Sequence, residues 1–285
     1  MRRTLLFFLS RACYSLSMKW PNELEVLIHA IRVAGKEAVR LAEAGFDTTQ
    51  KADRSPVTSA DLAVNQILHS YLHSAFPADG WLSEESPDGP DRLQKARVWV
   101  VDPIDGTKAF INREPEFCIS VALIEGDRPI VAAVFNPSVD ALYTATRGGG
   151  LYLNAKPITP PALQDKRPPI VAMSPWERDN GRFPCLDGMV TSRPMRSIAW
   201  GLALTASGHI QGLVTLEPEN EWDVAAGALL IEESEGQIYD GGGRPLAFNQ
   251  TAPRYQGMIA ASASCPGILK QKLTLLTHAG IKTAE

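Results

Sequence analysis

Apolar side chains in the first part of the chain recur with a helical period. After Pro21, leucine, isoleucine and alanine return every three or four residues, which predicts an amphipathic helix ending near Gly45. The polar loop Lys51–Asp61 then leads into a second stripe, from Leu62 to Leu72, which predicts a second helix. A short strand running into a loop is expected after Gly80, because Trp81 and Leu82 follow a turn residue.

The pattern then changes to that of β-strands. Strands are predicted at 98–101, 118–124, 129–135, 141–146 and 151–153. We expect Pro103 to end the first of them, because proline has no N–H to pair and a fixed φ. The polar segment Pro87–Lys95 is interpreted as a solvated, mobile flap. Helices against a largely antiparallel sheet predict an α+β half that covers residues 18–156.

A proline-rich stretch at 157–169 is interpreted as a linker to a second half. Beyond it, strands are predicted at 169–173, 213–216, 237–239 and 257–263, and helices at 200–206, 222–233 and 266 to about 278. Strands that alternate with helices predict an α/β half, residues 157–285.

Composition narrows the class of protein. With 285 residues, 45% of them hydrophobic, the chain can bury a large core in one domain or in two fused ones. A formal net charge of -4 gives no indication of a nucleic-acid polymer as partner. Four widely spaced cysteines, without a CxxC motif or a Cys/His cluster, favour reduced thiols in a cytoplasmic protein over disulfides or zinc.

Residues 1–17 differ from the rest of the chain, since they contain arginine, aromatic and aliphatic residues but no acid. This composition resembles a targeting segment. Its apolar run Leu5–Leu9 is far too short to span a membrane, so we predict no membrane partner. We interpret the segment as an atypical extension, and our preferred hypothesis is that synthesis starts at Met18.

Two carboxylates lie three residues apart just after the predicted strand 98–101. Asp102 and Asp105 flank a tight turn, and Gly106 lets the backbone bend sharply. Paired carboxylates at a strand end suit a hard divalent cation such as Mg2+. N–H groups where the turn enters a helix at Thr107 suit a phosphate. The alternative is a plain turn in which Asp105 caps the following helix.

Two further acidic segments favour the functional interpretation. They are Leu82-Ser-Glu-Glu-Ser86 upstream and Glu221-Trp-Asp-Val-Ala-Ala-Gly227 downstream. With them, the chain from about Lys51 to Gly243 resembles the inositol monophosphatase superfamily of metal-dependent, lithium-sensitive phosphatases. The resemblance implies a layered α/β/α/β/α sandwich of the sugar-phosphatase type, with the active site between the two halves.

The resemblance also implies roles for individual residues. The implied ligands of two or three Mg2+ ions are Glu84, Asp102, the Ile104 carbonyl, Asp105 and Asp223. Glu84 and a Thr107–Asp61 pair are expected to orient the attacking water, and the N–H groups of Gly106 and Thr107 to hold phosphate oxygens. Helix capping is the alternative role of Asp61. Four acids buried together without a cation would repel one another and lose their hydration, which is a separate reason to expect metal.

The implied substrate is a small-molecule phosphate ester. Lys108 stands where inositol monophosphatases usually have a second threonine, and in this respect the chain resembles 3'(2'),5'-bisphosphate nucleotidases. Lys108 is expected to bind a second anionic group of the substrate, or else to pair with Glu114 or Glu116. Trp200 is expected to shape the substrate pocket, or else to be plain core.

Other functions stay open at this stage. Inositol-1-monophosphatase and histidinol-phosphatase are the alternative activities within the superfamily. Glycoside hydrolysis also uses paired acids. A metal-binding regulatory scaffold is the non-enzyme alternative, and a homodimer is left open.

Overall fold

The computed structural model describes residues 19–161 and 168–279, and for 277–279 it describes the backbone alone. The extension 1–17, the proposed start at Met18 and part of the predicted linker lie outside the described residues. In the described residues the helices are α1 (Pro21–Ala44), α2 (Ser59–Ala75), α3 (Thr107–Ile111), α4 (Pro175–Asp179), α5 (Ile198–Ala206), α6 (Glu221–Glu233) and α7 (Gly267–Ala279). None of these helices is long and apolar enough to cross a membrane.

The strands of the first half form one sheet and a small hairpin. They are β1 (Thr48–Gln50), β2 (Pro56–Thr58), β3 (Gly80–Ser83), β4 (Arg97–Asp105), β5 (Cys118–Glu125), β6 (Arg128–Asn136), β7 (Ala141–Thr146), β8 (Gly150–Leu153) and β9 (Lys156–Pro157). The hairpin pairs β1 with β2, and the sheet runs β3-β4-β5-β6-β7-β8-β9. β3 and β4 are parallel, and the other neighbours are antiparallel.

The strands of the second half form a five-stranded sheet. They are β10 (Ile170–Met173), β11 (Thr191–Pro194), β12 (Gly212–Asn220), β13 (Gln237–Asp240) and β14 (Arg254–Ala261). Their order is β11-β10-β12-β14-β13, with β10 parallel to both of its neighbours and β14 antiparallel to both of its own.

Helices cover both faces of the first sheet, and β4 shows how the sequence specifies this. Val98 and Val100 pack into the core shared with α5 and α6, whereas Trp99 and Val101 pack into the core shared with α1 and α2. Successive side chains of a strand point to opposite faces, so a continuous apolar run is what a sheet covered on both faces requires.

Helices α5 and α6 form a central layer between the two sheets. All nine residues of α5 are buried, which is the pattern of a helix with apolar neighbours on every side. A Cβ at Gly227 of α6 would lie 2.4 Å from the side chain of Leu202 on α5, so glycine permits the close packing of the two helices. With α1 and α2 outside the first sheet and α7 packed against β14, the layers are α/β/α/β/α, as expected.

Three details differ from the sequence-based expectations. Pro103 does not end β4, which continues to Asp105 after an irregularity in its register between Asp102 and Asp105. A proline is tolerated where the ladder is already interrupted, because no N–H is needed there. The segment Pro87–Lys95 is not solvated throughout, since Arg92 is 4% exposed. Strand β12 extends beyond the predicted end at Leu216 to Asn220.

Candidate active site

Three aspartates from the two halves of the molecule come together. Asp102 and Asp105 lie at the end of β4, and Asp223 lies in the first turn of α6. One carboxylate oxygen from each lies within 4.8 Å of the others. The sequence predicted this cluster from segments that are more than 100 residues apart in the chain.

Each aspartate is oriented by hydrogen bonds to the backbone nearby or to the facing half. Asp102 accepts from the Ile104 N–H at 3.0 Å, and Asp223 accepts from the Asn220 N–H at 2.8 Å. One oxygen of Asp105, Oδ2, accepts both from the Ser197 hydroxyl at 2.6 Å and from the Ala199 N–H at 2.5 Å. Sequence reasoning missed Ser197 and Ala199.

Burial and mutual repulsion make these carboxylates costly to ionise together. Burial, opposed by hydrogen bonds from Ser197 and Ala199, raises the pKa of Asp105 to about 6. Burial and the charge of Asp105 raise the pKa of Asp223 to about 8. Burial, followed by the charges of Glu84 and Asp105, raises the pKa of Asp102 well above its ordinary value. A hard divalent cation removes this cost, so the donor set fits such a metal.

Glu84 follows β3 and lies outside this tight group, although its charge acts on it. Its carboxylate pairs with Lys51, whose Nζ lies 2.6 Å from Glu84 and 2.5 Å from Glu85. Burial alone would lower the pKa of Lys51, but hydrogen bonds to the two glutamates outweigh it and raise the pKa. The ammonium group therefore offsets one of the two glutamate charges in this part of the site, which sequence reasoning missed.

Asp61 caps α2 and also contacts Thr107. Its Oδ2 caps α2 by accepting from the Thr58 N–H at 2.8 Å and from the Thr58 hydroxyl at 2.5 Å. Its Oδ1 lies 3.3 Å from the hydroxyl of Thr107, which also lies 3.1 Å from the Ile104 carbonyl oxygen. Asp61 is 1% exposed, and burial raises its pKa. The expected Thr107–Asp61 pair is therefore present beside the three aspartates.

Gly106 links the acidic turn to α3 in a conformation that favours glycine. Its φ is +92°, and a Cβ would lie 3.0 Å from the Glu116 carbonyl oxygen and 3.2 Å from that of Arg196. A cavity of about 240 Å³ adjoins Asp105 on this side. Its lining includes Ser197, Arg196, Thr215, Glu217 and Glu219.

The two residues proposed to select the substrate have different surroundings. Lys108 is exposed, and within the described residues the two acids expected as its partners are paired elsewhere. Glu114 pairs with Arg196 at 3.1 Å, and Glu116 pairs with Arg193. Trp200 is 8% exposed in α5, and its ring centroid lies 5.8 Å from that of Tyr143, which agrees with the core alternative.

A five-layer sandwich with a carboxylate cluster between its two halves defines a class of protein, the metal-dependent phosphomonoesterases. Comparison with known proteins agrees with this class. The chain belongs to the inositol monophosphatase family, whose model matches residues 21–279. It is accordingly a phosphatase, a hydrolase of phosphate esters.

Relatives within the family differ in the substrates that their names specify. The chain is 34% identical over 206 residues to the 3'(2'),5'-bisphosphate nucleotidase CysQ of Escherichia coli K12, covering 71% of this chain and 83% of the relative. It is 33% identical over 237 residues to the inositol-1-monophosphatase of Rhizobium meliloti, covering 78% and 88%. The crystal structure of the extragenic suppressor protein suhB from Bartonella henselae superposes with a TM-score of 0.76 at 27% identity, covering 91% of this chain and all of that one.

Proposed function

We propose that the protein is a Mg2+-dependent phosphomonoesterase that acts on a 3'(2'),5'-bisphosphate nucleotide. The observation that carries the proposal is the exposed Lys108, which follows the phosphate-binding turn and whose two neighbouring acids are paired with arginines. Three free thiols in the described residues, Cys118, Cys185 and Cys265, support a reducing compartment such as the cytoplasm.

The proposed metal ligands are the carboxylates of Glu84, Asp102, Asp105 and Asp223 and the carbonyl of Ile104. Bound Mg2+ supplies a Lewis acid for the phosphate and lowers the pKa of a coordinated water. The Glu84 carboxylate pairs with Lys51. For Glu84 to bind a metal ion, Lys51 must move away or share the carboxylate with the ion.

Asp61 and Thr107 position the attacking water in this proposal. When the Thr107 hydroxyl donates a hydrogen bond to Asp61, the lone pairs of its oxygen remain available to accept a hydrogen bond from the water. Glu84 accepts from the same water, so the lone pair that attacks is directed to the phosphorus. Gly106 and Thr107 would hold phosphate oxygens by their N–H groups at the start of α3, as the family resemblance implies.

A polyol monophosphate is the second candidate substrate. Glu217 and Glu219 line the cavity beside Asp105. Carboxyl groups accept hydrogen bonds from hydroxyls, so this wall favours a hydroxyl-rich leaving group. The regulatory-scaffold alternative receives no such support.

A panel of phosphate esters with Mg2+ separates the candidates. It contains adenosine 3',5'-bisphosphate, inositol 1-phosphate and histidinol phosphate, each assayed with the parent chain and with Lys108→Thr. A desolvated charge-assisted hydrogen bond contributes roughly 1.5–3 kcal/mol. Lys108→Thr should therefore lower kcat/KM for the bisphosphate by about tenfold or more and leave the monophosphates unchanged.

The matched control is Lys156→Thr, which removes an exposed lysine from β9 at the far edge of the first sheet. It should leave all three substrates unchanged. Equal losses on all substrates in Lys108→Thr would contradict the bisphosphate assignment. A preference of the parent chain for inositol 1-phosphate would favour the second candidate.

A further inference from the structure

Asn65 lies one helical turn after Asp61 on α2, and residues four apart on a helix lie on the same face. Asp61 contacts Thr107. Asn65 contacts the turn at residues 83–86, which follows β3 and carries Glu84. We call these four residues the Glu84 turn. One helix therefore carries Asp61 and contacts the turn that carries Glu84, the two acidic residues assigned to the attacking water.

The amide of Asn65 uses its donors and its acceptor on opposite sides of Glu84. Its Nδ2 donates to the Ser86 hydroxyl at 3.0 Å and lies 3.4 Å from the Glu85 carbonyl oxygen. Its Oδ1 accepts from the Ser83 hydroxyl at 2.8 Å, and that hydroxyl oxygen accepts from the Glu85 N–H at 3.3 Å. Residues on both sides of Glu84 are thus fixed to one side chain.

Two other contacts hold the Glu84 turn against the first sheet. The Glu84 N–H donates to the Val101 carbonyl at 3.2 Å, directly before Asp102. The Trp81 indole N–H donates to the Ser86 hydroxyl at 3.2 Å, so the Ser86 oxygen accepts hydrogen bonds from both Trp81 and Asn65. The turn is therefore placed between the helix that carries Asp61 and the strand that carries Asp102.

We propose that Asn65 is a positioning residue, which fixes the Glu84 carboxylate relative to Asp61 and to the metal site by clamping the Glu84 turn onto α2. The inference rests on the proposed function, because it takes Glu84 as a metal ligand. Glu84 lies in a turn, and its carboxylate is about one quarter exposed, so the turn must be fixed for the carboxylate to have a defined position. Groups that orient a metal ligand typically affect metal affinity by about 10- to 100-fold when they are replaced.

The test replaces Asn65 by leucine, which is similar in size and makes none of the three contacts. Isothermal titration calorimetry measures the affinity for Mg2+, and steady-state assays measure the Mg2+ concentration at half-maximal kcat/KM. We expect Asn65→Leu to weaken Mg2+ binding by about tenfold and to raise that concentration in parallel. The control is Gln66→Ala, which changes the exposed neighbour on the same helix and should leave both quantities unchanged.

A lower melting temperature of Asn65→Leu with unchanged Mg2+ affinity would show that Asn65 only stabilises the turn, and would overturn the inference. If Asn65→Leu does not fold, Ser86→Ala decides instead, since it removes the shared acceptor and leaves α2 intact. Weaker Mg2+ binding by Ser86→Ala supports the inference, and unchanged binding overturns it.

A parent chain that neither binds Mg2+ nor hydrolyses any ester refutes the proposed function, and the inference with it. If the parent chain binds Mg2+ and hydrolyses an ester, and Asn65→Leu binds Mg2+ as tightly as the parent chain, the inference is refuted and the proposed function is not.

Discussion

Replacing Asp105 by asparagine should abolish turnover and stabilise the protein when no metal is bound. Both hydrogen bonds that orient Asp105, from Ser197 and from Ala199, end on the same oxygen, Oδ2. Asparagine can keep that oxygen as an acceptor and place its NH2 group where Oδ1 faces the other acids. The substitution therefore removes one buried negative charge without removing either hydrogen bond.

The expected magnitude follows from the pKa of Asp105. A rise from the ordinary 3.8 to about 6 corresponds to about 3 kcal/mol, at about 1.36 kcal/mol per unit of pKa. Because the folded protein binds this proton more tightly than the unfolded chain, the contribution of Asp105 to the free energy of unfolding falls as pH rises from about 4 to about 6 and then levels off. Asparagine has no such titration, so this part of its advantage should be absent at pH 4 and complete above pH 6.

Thermal unfolding in the presence of a chelator, at several pH values, measures this difference. A domain of this size changes its melting temperature by about 2–4 °C per kcal/mol, so a shift of roughly 6–12 °C is expected at pH 8. Mg2+ should raise the melting temperature of the parent chain and not that of Asp105→Asn. Asp127→Asn, in the exposed β5–β6 turn, is the control and should show neither effect. A lower melting temperature of Asp105→Asn at pH 8, or a stabilisation that does not depend on pH, would refute the argument from the cost of burying this charge.

Three further results are expected. Activity should require Mg2+ and be inhibited by Li+, as the family resemblance implies, and full activity in excess EDTA would contradict this. Lys51→Met should tighten Mg2+ binding several-fold in calorimetry, because it removes an ammonium that competes for Glu84, and should lower the melting temperature without metal. Gly106→Ala should cost at least about 1 kcal/mol of stability and most of the activity, because alanine is strained at a φ of +92° and its Cβ meets two carbonyl oxygens. A denaturant titration that gives Gly106→Ala the stability of the parent chain would contradict that reasoning.

The parts of the fold that could be predicted are those with a strong local pattern. The run Val98–Val101 indicated a buried strand, and the structure confirms it because both faces of β4 meet helices. Strand β11 was missed, since its four residues, Thr191–Pro194, are largely exposed and show no apolar period. The end of β12 was also missed, because Glu219 and Asn220 are extended only through their pairing with β14. Such pairing depends on distant residues and leaves no local signal.

The candidate site divides in the same way. Asp102 and Asp105 could be found because one turn brings them together, whereas the contacts of Asp105 with Ser197 and Ala199 join residues more than 90 positions apart. The pairing of Lys51 with Glu84 spans 33 positions, which include the whole of α2. Neither contact follows from spacing along the chain. Ser197 lies three residues before the predicted helix 200–206, and its role as the N-cap of α5 and its contact with Asp105 were both missed.

From the way the two halves are joined, we expect the fold not to depend on a bound metal. Within the described residues, the ion pairs that cross between the halves are Arg193–Glu116, Arg196–Glu114 and Arg147–Glu232. All three are partly exposed, and such pairs contribute at most about 1 kcal/mol each. The central helices α5 and α6 instead bury apolar side chains against both sheets, and burial of apolar surface is the larger stabilising term. The halves therefore stay together when the acids between them have no cation, and the repulsion is localised at Asp102, Asp105 and Asp223. Metal binding then removes a local electrostatic penalty in a scaffold that is already assembled. An isosteric change at Asp105 can therefore abolish catalysis and still raise stability.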